Sequence, residues 1–458
     1  MKFTLALFLG LYAAVTFSSA ADKPNIVLIL SDDQTWTDYG FMGHKLIKTP
    51  NLDKLSKRSA VFPRGYVPVA LCRPSLSSLI TGLYPHQHGV TGNDPALLPG
   101  MNSKKRGSPA YTQLRADLIT NIDRHPTLPK LLAKNGYSSH QSGKWWEGSY
   151  KRGGFTDGMT RGFPEPGGRH GDDGLKIGRA GMKPVFDFID KSVADDKPFY
   201  VYYAPFLPHT PHNPPERLFN KYKDKVASEH VAKYYAMCEW FDETCGQLLD
   251  HLDAKGVTDN TIIYYVCDNG WIQKEDSRGY APRSKQSANE GGTRQPTMIS
   301  WPGKIKPKIY EDTLVTSLDY LPTMLAAAGA ESDIPKGLPG LNLLPLIVDG
   351  KKLDRDAIYG ESFAHDIADL KNPEASLLYR WVIQGNWKLL LTYDGKIGRY
   401  KSSHPRTEKR PQLYNLKKDP TEEYNLAKDN PDLVAKLAAR IDANWPLKQA
   451  KAIMKWTD

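Results

Sequence analysis

The chain has 458 residues, 40% hydrophobic and 24% charged, an ordinary globular composition with no internal repeat or low-complexity tract. With 61 Lys and Arg against 51 Asp and Glu its formal charge is +10, compatible with polyanion binding and equally with a solvated surface. Four cysteines are too few and too scattered for a disulfide-dense scaffold.

Residues 1–20 combine a short positive start at Lys2, an apolar run from Phe3 to Phe17 and the small-residue site Ser18-Ser19-Ala20. That pattern predicts a cleaved secretory signal, and hence an exported protein, periplasmic or secreted, with its mature start near Ala21. No later apolar run is long enough to span a bilayer. Asn25–Leu30 (NIVLIL) reads as a strand buried on both faces, ending directly in Asp32-Asp33. Thr49-Pro50 predicts a helix start with Thr49 as the cap.

In the stretch Pro68–Val90, Cys72 precedes a short helix with Pro74 in its first turn, Leu76, Leu79 and Ile80 on one face, and Gly82 ending it in the left-handed conformation. The sulfur is thereby set beside the unpaired N–H groups of a helix N-terminus. Gly92 to about Arg124 reads as a polar loop. Thr127–Asn135 is a helix closed by Gly136, and the strand Tyr137–Ser142 delivers Gly143-Lys144-Trp145-Trp146.

Gly148–Gly181 has no periodicity and is expected to be a long loop over a site. A helix over Lys183–Lys191 and a strand over Pro198–Tyr203 lead to His209, whose backbone is stiffened by Pro208 and Pro211. Glu229–Lys255 is the longest helix. Cys238 and Cys245 share its face but lie about 10 Å apart along the axis, beyond disulfide reach. The strand Thr261–Val266 ends in Cys267-Asp268-Asn269-Gly270, followed by Lys285, Glu290 and the strand Thr297–Trp301.

After a helix over Leu318–Ala328, the segment Gly337–Gly350 tapers off the first domain. A hairpin follows over Leu378–Gln384 and Trp387–Tyr393, turning at Gly385-Asn386, with a further strand at Gln412–Asn415 and a final helix over Asn430–Trp445. The expected organisation is a signal at 1–20, a catalytic domain at 21–350 and a small α+β subdomain at 351–458.

Asp32, Asp33, Asp268 and Asn269 form a hard-oxygen set at strand ends, suited to Ca²⁺ or Mg²⁺; no His/Cys cluster has zinc spacing. Together with Cys72, Lys144, Lys285 and His209 they give a cation and several positive donors around a potential nucleophile, which is what sulfuryl or phosphoryl transfer requires.

The ordered segments PNIVLILSDDQ, TPNLDKLSKRSAVF, CRPS, LITGLYPH, SGKW, APFLPHTP, CDNG, EGGTRQPTMISWPG and QLYNLKKDPTEEYNLA run through essentially the whole mature chain. In them the chain resembles the formylglycine-dependent sulfatases of the alkaline phosphatase superfamily. The resemblance implies an α/β fold, a large mixed β-sheet flanked by helices, with a small C-terminal α+β subdomain. It implies a formylglycine made from Cys72 as nucleophile, and Ca²⁺, with Mg²⁺ the alternative, held by Asp32, Asp33, Asp268, Asn269 and the modified Cys72. Lys144 and Lys285 would grip the sulfate, and His209 would protonate the leaving alcohol.

Expected partners are a sulfated carbohydrate or aryl sulfate and a formylglycine-generating maturation enzyme; nucleic acid and stable membrane insertion are not expected. Two positions depart from the family pattern. Leu76 stands where Cys-x-Pro-Ser-Arg has arginine, and Trp146 where Gly-Lys-Trp-His has histidine. They keep two alternatives open: a pseudo-sulfatase that binds metal and sulfated glycan without turnover, and a related phosphonate or phosphate monoester hydrolase.

Overall fold

A computed structural model describes residues 23–102, 106–400 and 408–454. The signal segment expected at 1–20 lies outside them. The organising element is an eight-stranded mixed sheet. Its strands are β1 (Asn25–Ser31), β2 (Ala60–Phe62), β3 (Ser138–Gly143), β4 (Asp157–Gly158), β5 (Phe199–Ala204), β6 (Thr261–Cys267), β7 (Thr297–Ser300) and β8 (Lys308–Ile309). Their spatial order is β8-β2-β7-β6-β1-β5-β3-β4.

β1 lies between β5 and β6, parallel to both, and β3 is parallel to β5; β7 pairs antiparallel with β2 and β6. The apolar run of β1 is continuous because both faces are covered. Ile26, Leu28 and Leu30 pack with Leu79, Ile80, Leu132, Tyr320 and Met324 on one side. Val27 and Ile29 pack with Leu52, Leu55, Val185, Ile189, Phe241 and Leu248 on the other.

The helices follow from this layering. α1 (Pro50–Lys57), α5 (Lys183–Ala194) and α6 (Glu229–Ala254) cover one face. α2 (Cys72–Thr81), α4 (Leu128–Lys134) and α7 (Tyr320–Ala327) cover the other. Cys238 and Cys245 are free and buried, as their spacing on α6 requires.

Two expectations are corrected. The segment read as a loop from Gly92 to Arg124 contains α3 (Pro109–Ile119) and a 3-10 turn over Thr120–Arg124. Ser108 caps α3 by accepting from the Tyr111 N–H, but only Tyr111, Leu118 and Ile119 are buried, too few to leave a clear periodicity. Thr49 occupies the N-cap of α1 without capping it, because its hydroxyl accepts from the Gly40 N–H and donates to Asp53.

A second, antiparallel sheet is built from β9 (Ala357–Phe363), β10 (Leu377–Gln384), β11 (Trp387–Thr392) and β12 (Gln412–Asn415), in that order. Its outer face buries α8 (Pro431–Asn444) through Val434, Leu437 and Ile441. No helix among the described residues is long and apolar enough to cross a membrane.

Candidate active site

The four parallel strands β1, β3, β5 and β6 end at the same edge of the sheet, so the residues after them converge. The register Ser31↔Cys267 puts Asp32-Asp33 beside Asp268-Asn269. Asp33 has φ +67°, a left-handed backbone unusual outside glycine, and its N–H reaches Asp268 Oδ1 at 3.2 Å. Gly143 turns the chain after β3. Its φ is +87°, and an added Cβ would lie 1.8 Å from the Ala204 carbonyl oxygen, so only glycine permits the close crossing that presents Lys144.

All eight residues singled out in the sequence meet here. Lys144 Nζ lies 2.6 Å from Asp32 Oδ2 and 3.8 Å from Asp268 Oδ2. Lys285 Nζ pairs with Asp33 Oδ1, which also accepts from Asn269 Nδ2 at 2.7 Å. Cys72, the first residue of α2, places Sγ 4.0 Å from Asp32 Oδ1. His209 Nε2 is 3.3 Å from Asp33 Oδ2, while its Nδ1 is 2.7 Å from the Thr210 carbonyl, which fixes the proton of a neutral ring on Nδ1. The Gln286 N–H donates to the Ala70 carbonyl at 2.7 Å, tying the Lys285 loop to the approach to Cys72.

Burial sets the electrostatics. It pushes the Cys72 thiol up to about 12, against the pull of Lys144 and Lys285. Asp32 and Asp268 are held above the usual carboxylate range, first by burial and, for Asp32, then by the charge of Asp268. Burial works against charge on Lys144 and Lys285, but the carboxylates outweigh it and hold both above the ordinary lysine value. His209 is lowered by burial and by the two lysines.

Asp33 Oδ2, Asp268 Oδ2 and Asn269 Oδ1 are buried with no hydrogen-bond partner. Orphaned oxygens of this kind, beside buried carboxylates held above their ordinary range, fit a hard divalent cation. Cation binding is therefore expected to release protons, so affinity should rise with pH. Adding Ca²⁺ to chelator-treated protein should raise the unfolding temperature. A hundredfold excess over Kd corresponds to about 2.7 kcal/mol. Scanning calorimetry with and without Ca²⁺ checks this.

The two departures from the family pattern both put a buried apolar side chain where the family has a polar one. Leu76 and Trp146 belong to the same buried apolar cluster. Arg73 does not stand in for a charge near Cys72: its Nε and Nη2 each lie 2.6 Å from Glu147, and Nη1 reaches the Asn93 carbonyl. It clamps the segment after Lys144 onto α2.

The site opens into a cavity of about 800 Å³, lined by Cys72, Lys144, Lys285 and His209. It also exposes Trp146, together with Arg169 and His170, of which the latter two were not singled out in the sequence reading. The latter two lie in the aperiodic Gly148–Gly181 stretch, where spacing carries no signal; that stretch holds only β4, a helical turn at Tyr150–Gly153 and a 3-10 turn at Asp172–Lys176.

Residues 24–330 match the family model described as Sulfatase, and 284–445 match the one described as N-sulphoglucosamine sulphohydrolase, C-terminal. The chain is 30% identical over 382 residues to human N-acetylgalactosamine-6-sulfatase, covering 75% of this chain and 69% of that one. To human arylsulfatase A it is 28% identical over 471 residues, covering 92% and 86%. The crystal structure of Ps i-CgsB in complex with k-i-k-neocarrahexaose superposes with a TM-score of 0.70 at 25% identity, covering 93% and 94%.

Proposed function

The chain belongs to the sulfatase family, and from that membership we propose that it hydrolyses sulfate esters of a carbohydrate through a formylglycine made from Cys72. The carrying observation is the convergence of Cys72, Lys144, Lys285 and His209 on one buried carboxylate cluster. A thiol held near 12 is protonated at neutral pH and a poor nucleophile. Conversion to an aldehyde, whose hydrate supplies hydroxyl groups, removes that dependence on sulfur ionisation. A maturation enzyme acting on Cys72 and export through residues 1–20 belong to this reading, with 21–350 as the catalytic part and 351–458 as the subdomain.

Asp32, Asp33, Asp268 and Asn269, with residue 72, would hold the divalent cation, Ca²⁺ in this reading, which supplies charge neutralisation at the ester oxygens. With all three carboxylates ionised, as cation binding requires, they and the two ammonium groups sum to one negative charge. A divalent cation turns this into one positive charge, the complement of a sulfate monoester. Lys144 and Lys285 orient the non-bridging oxygens. As a hydroxyl oxygen of the hydrated aldehyde bonds to sulfur and the ester S–O bond breaks, the protonated ring of His209 gives its Nε2 proton, on the side away from Thr210, to the ester oxygen, so the alcohol leaves neutral.

Support for a carbohydrate comes from the neocarrahexaose complex of Ps i-CgsB and from the N-acetylgalactosamine-6-sulfatase relative. The test is hydrolysis of 4-nitrophenyl sulfate with Ca²⁺ present, against 4-nitrophenyl phosphate and an aryl phosphonate. The sulfate should be the preferred substrate; preference for either phosphorus ester contradicts the reading.

Because His209 is lowered, its charged form is lost as pH rises through a value below the ordinary 6.5. For a proton donor this predicts that kcat/KM falls with rising pH, with the limb on the acid side of 6.5. His209→Gln should lower kcat by about 10²-fold or more and remove that limb. A pH profile of both proteins checks it.

A further inference from the structure

Arg169 and His170 occupy the cavity wall beside Trp146, and neither belongs to the cluster around Cys72. Arg169 donates from Nε to Asp94 Oδ1 at 3.0 Å and from Nη2 to Asp94 Oδ2, and its guanidinium lies 4.8 Å from the centre of the Trp146 indole. A carboxylate fork on one edge and an aromatic face beneath hold it in a single orientation. Its side chain remains 34% exposed to the cavity.

Asp94 does not cancel that charge, because it is shared. Arg115 and Arg399 also donate to it, at 3.2 and 2.7 Å, and Arg106 lies 3.9 Å away. Asp366 beside it takes three further bonds from Arg399. Four guanidinium groups face two carboxylates, so the cluster that holds Arg169 at the cavity wall is net positive, and its carboxylates are already occupied by guanidinium groups, which argues against a second metal site at Asp94, His365 and Asp366.

His170 leans on Trp146 and stacks on Phe206, 5.0 and 5.3 Å between ring centres, with a buried Nδ1 that has no hydrogen-bond partner. Burial, Lys144 and Arg169 lower it to about 3, so it is a neutral imidazole at working pH.

We propose that Arg169 and His170, seated on Trp146, form a subsite for a second anionic group of the substrate, a carboxylate or another sulfate carried near the ester that is cut. The indole at position 146 is then the platform of this subsite, and it makes the enzyme selective for a polyanionic glycan over a singly charged one. His170 contributes a neutral hydrogen bond next to the fixed cation. The inference rests on the sulfatase reading but concerns only what binds beside the ester.

The test uses the full chain carrying Cys72→Ala, loaded with Ca²⁺, so that ligands bind without turnover. Three probes are titrated by calorimetry: the 6-sulfated N-acetylgalactosamine–uronate disaccharide, its carboxyl-reduced form, and its 4,6-disulfated form. One of the two probes with an extra anion should bind about tenfold or more tighter than the carboxyl-reduced or monosulfated comparison, which identifies the anion as carboxylate or sulfate. Arg169→Gln should erase that ratio, and Arg169→Lys should retain part of it. Thermal unfolding confirms that each variant is folded. Equal affinity for all probes, absence of binding, or a ratio that survives Arg169→Gln overturns the proposal. Turnover of 4-nitrophenyl sulfate by the unmodified chain tests the sulfatase reading separately, and it can succeed where this proposal fails.

Discussion

Cys72→Ala is expected to reduce sulfate-ester hydrolysis by at least about 10⁴-fold while leaving the fold intact. The size follows from the position of the residue. Cys72 opens α2 with its sulfur beside Asp32 and lines the cavity with both lysines and His209. Water could still meet an ester gripped by those groups, but alanine removes the only side chain there that oxidation can turn into an oxygen nucleophile. The structural cost is small, since one buried sulfur is exchanged for a hydrogen and Asp32, Asp33, Asp268 and Asn269 still offer oxygens to the metal. Steady-state rates on 4-nitrophenyl sulfate, with calorimetry as the control for folding, separate the two effects.

Lys388→Met is expected to destabilise the protein by about 3–5 kcal/mol. Lys388 lies on β11 with no exposed side-chain surface, and its ammonium is 2.9 Å from Glu290 and 3.0 Å from Glu422. The Tyr66 hydroxyl donates to Glu290 at 2.9 Å, and the Glu290 N–H donates to Glu422 at 2.7 Å. Removing its ammonium leaves two buried carboxylates facing each other, with Arg294 3.9 Å from Glu290 as the remaining cation. This network also joins the second sheet to the loop that carries Lys285, five residues before Glu290. The variant should therefore lose affinity for substrate as well as stability. Combining it with Glu290→Gln and Glu422→Gln should recover most of the stability, because the uncompensated charges are then gone. Urea unfolding of the single and triple variants measures the coupling.

Lys388 also shows where sequence reasoning ends. Its strand was legible from the hairpin pattern around Gly385-Asn386, but a lysine on a strand reads as solvent-facing, and only the partners fold it inward. Seven of the eight site residues were legible because each follows a strand or opens a helix whose apolar pattern is strong, so topology brings them to one edge; Lys285 lies in a polar loop and was legible through the family resemblance. β9 was not, since Ala357–Phe363 mixes Gly360, Glu361 and Ser362 into its buried face and turns on packing of Trp381 against Gly360. α3 was not, because its apolar stripe is thin. Arg169 and His170 were hidden for a third reason: they act through tertiary contacts with Trp146 and Asp94 inside a stretch with no period. Trp146 itself was legible only as a lost histidine, whereas the structure gives it two aromatic and cationic neighbours.

The most direct test of the account is to measure, in one preparation, the fraction of chains carrying an aldehyde at residue 72 and the turnover of 4-nitrophenyl sulfate. Peptide mass spectrometry with a hydrazide label reports the first. Co-expression with varying amounts of a formylglycine-generating enzyme changes it. The account predicts turnover in direct proportion to the aldehyde fraction, reaching zero when every chain retains the thiol. Full turnover with an unmodified Cys72 in all molecules would contradict it.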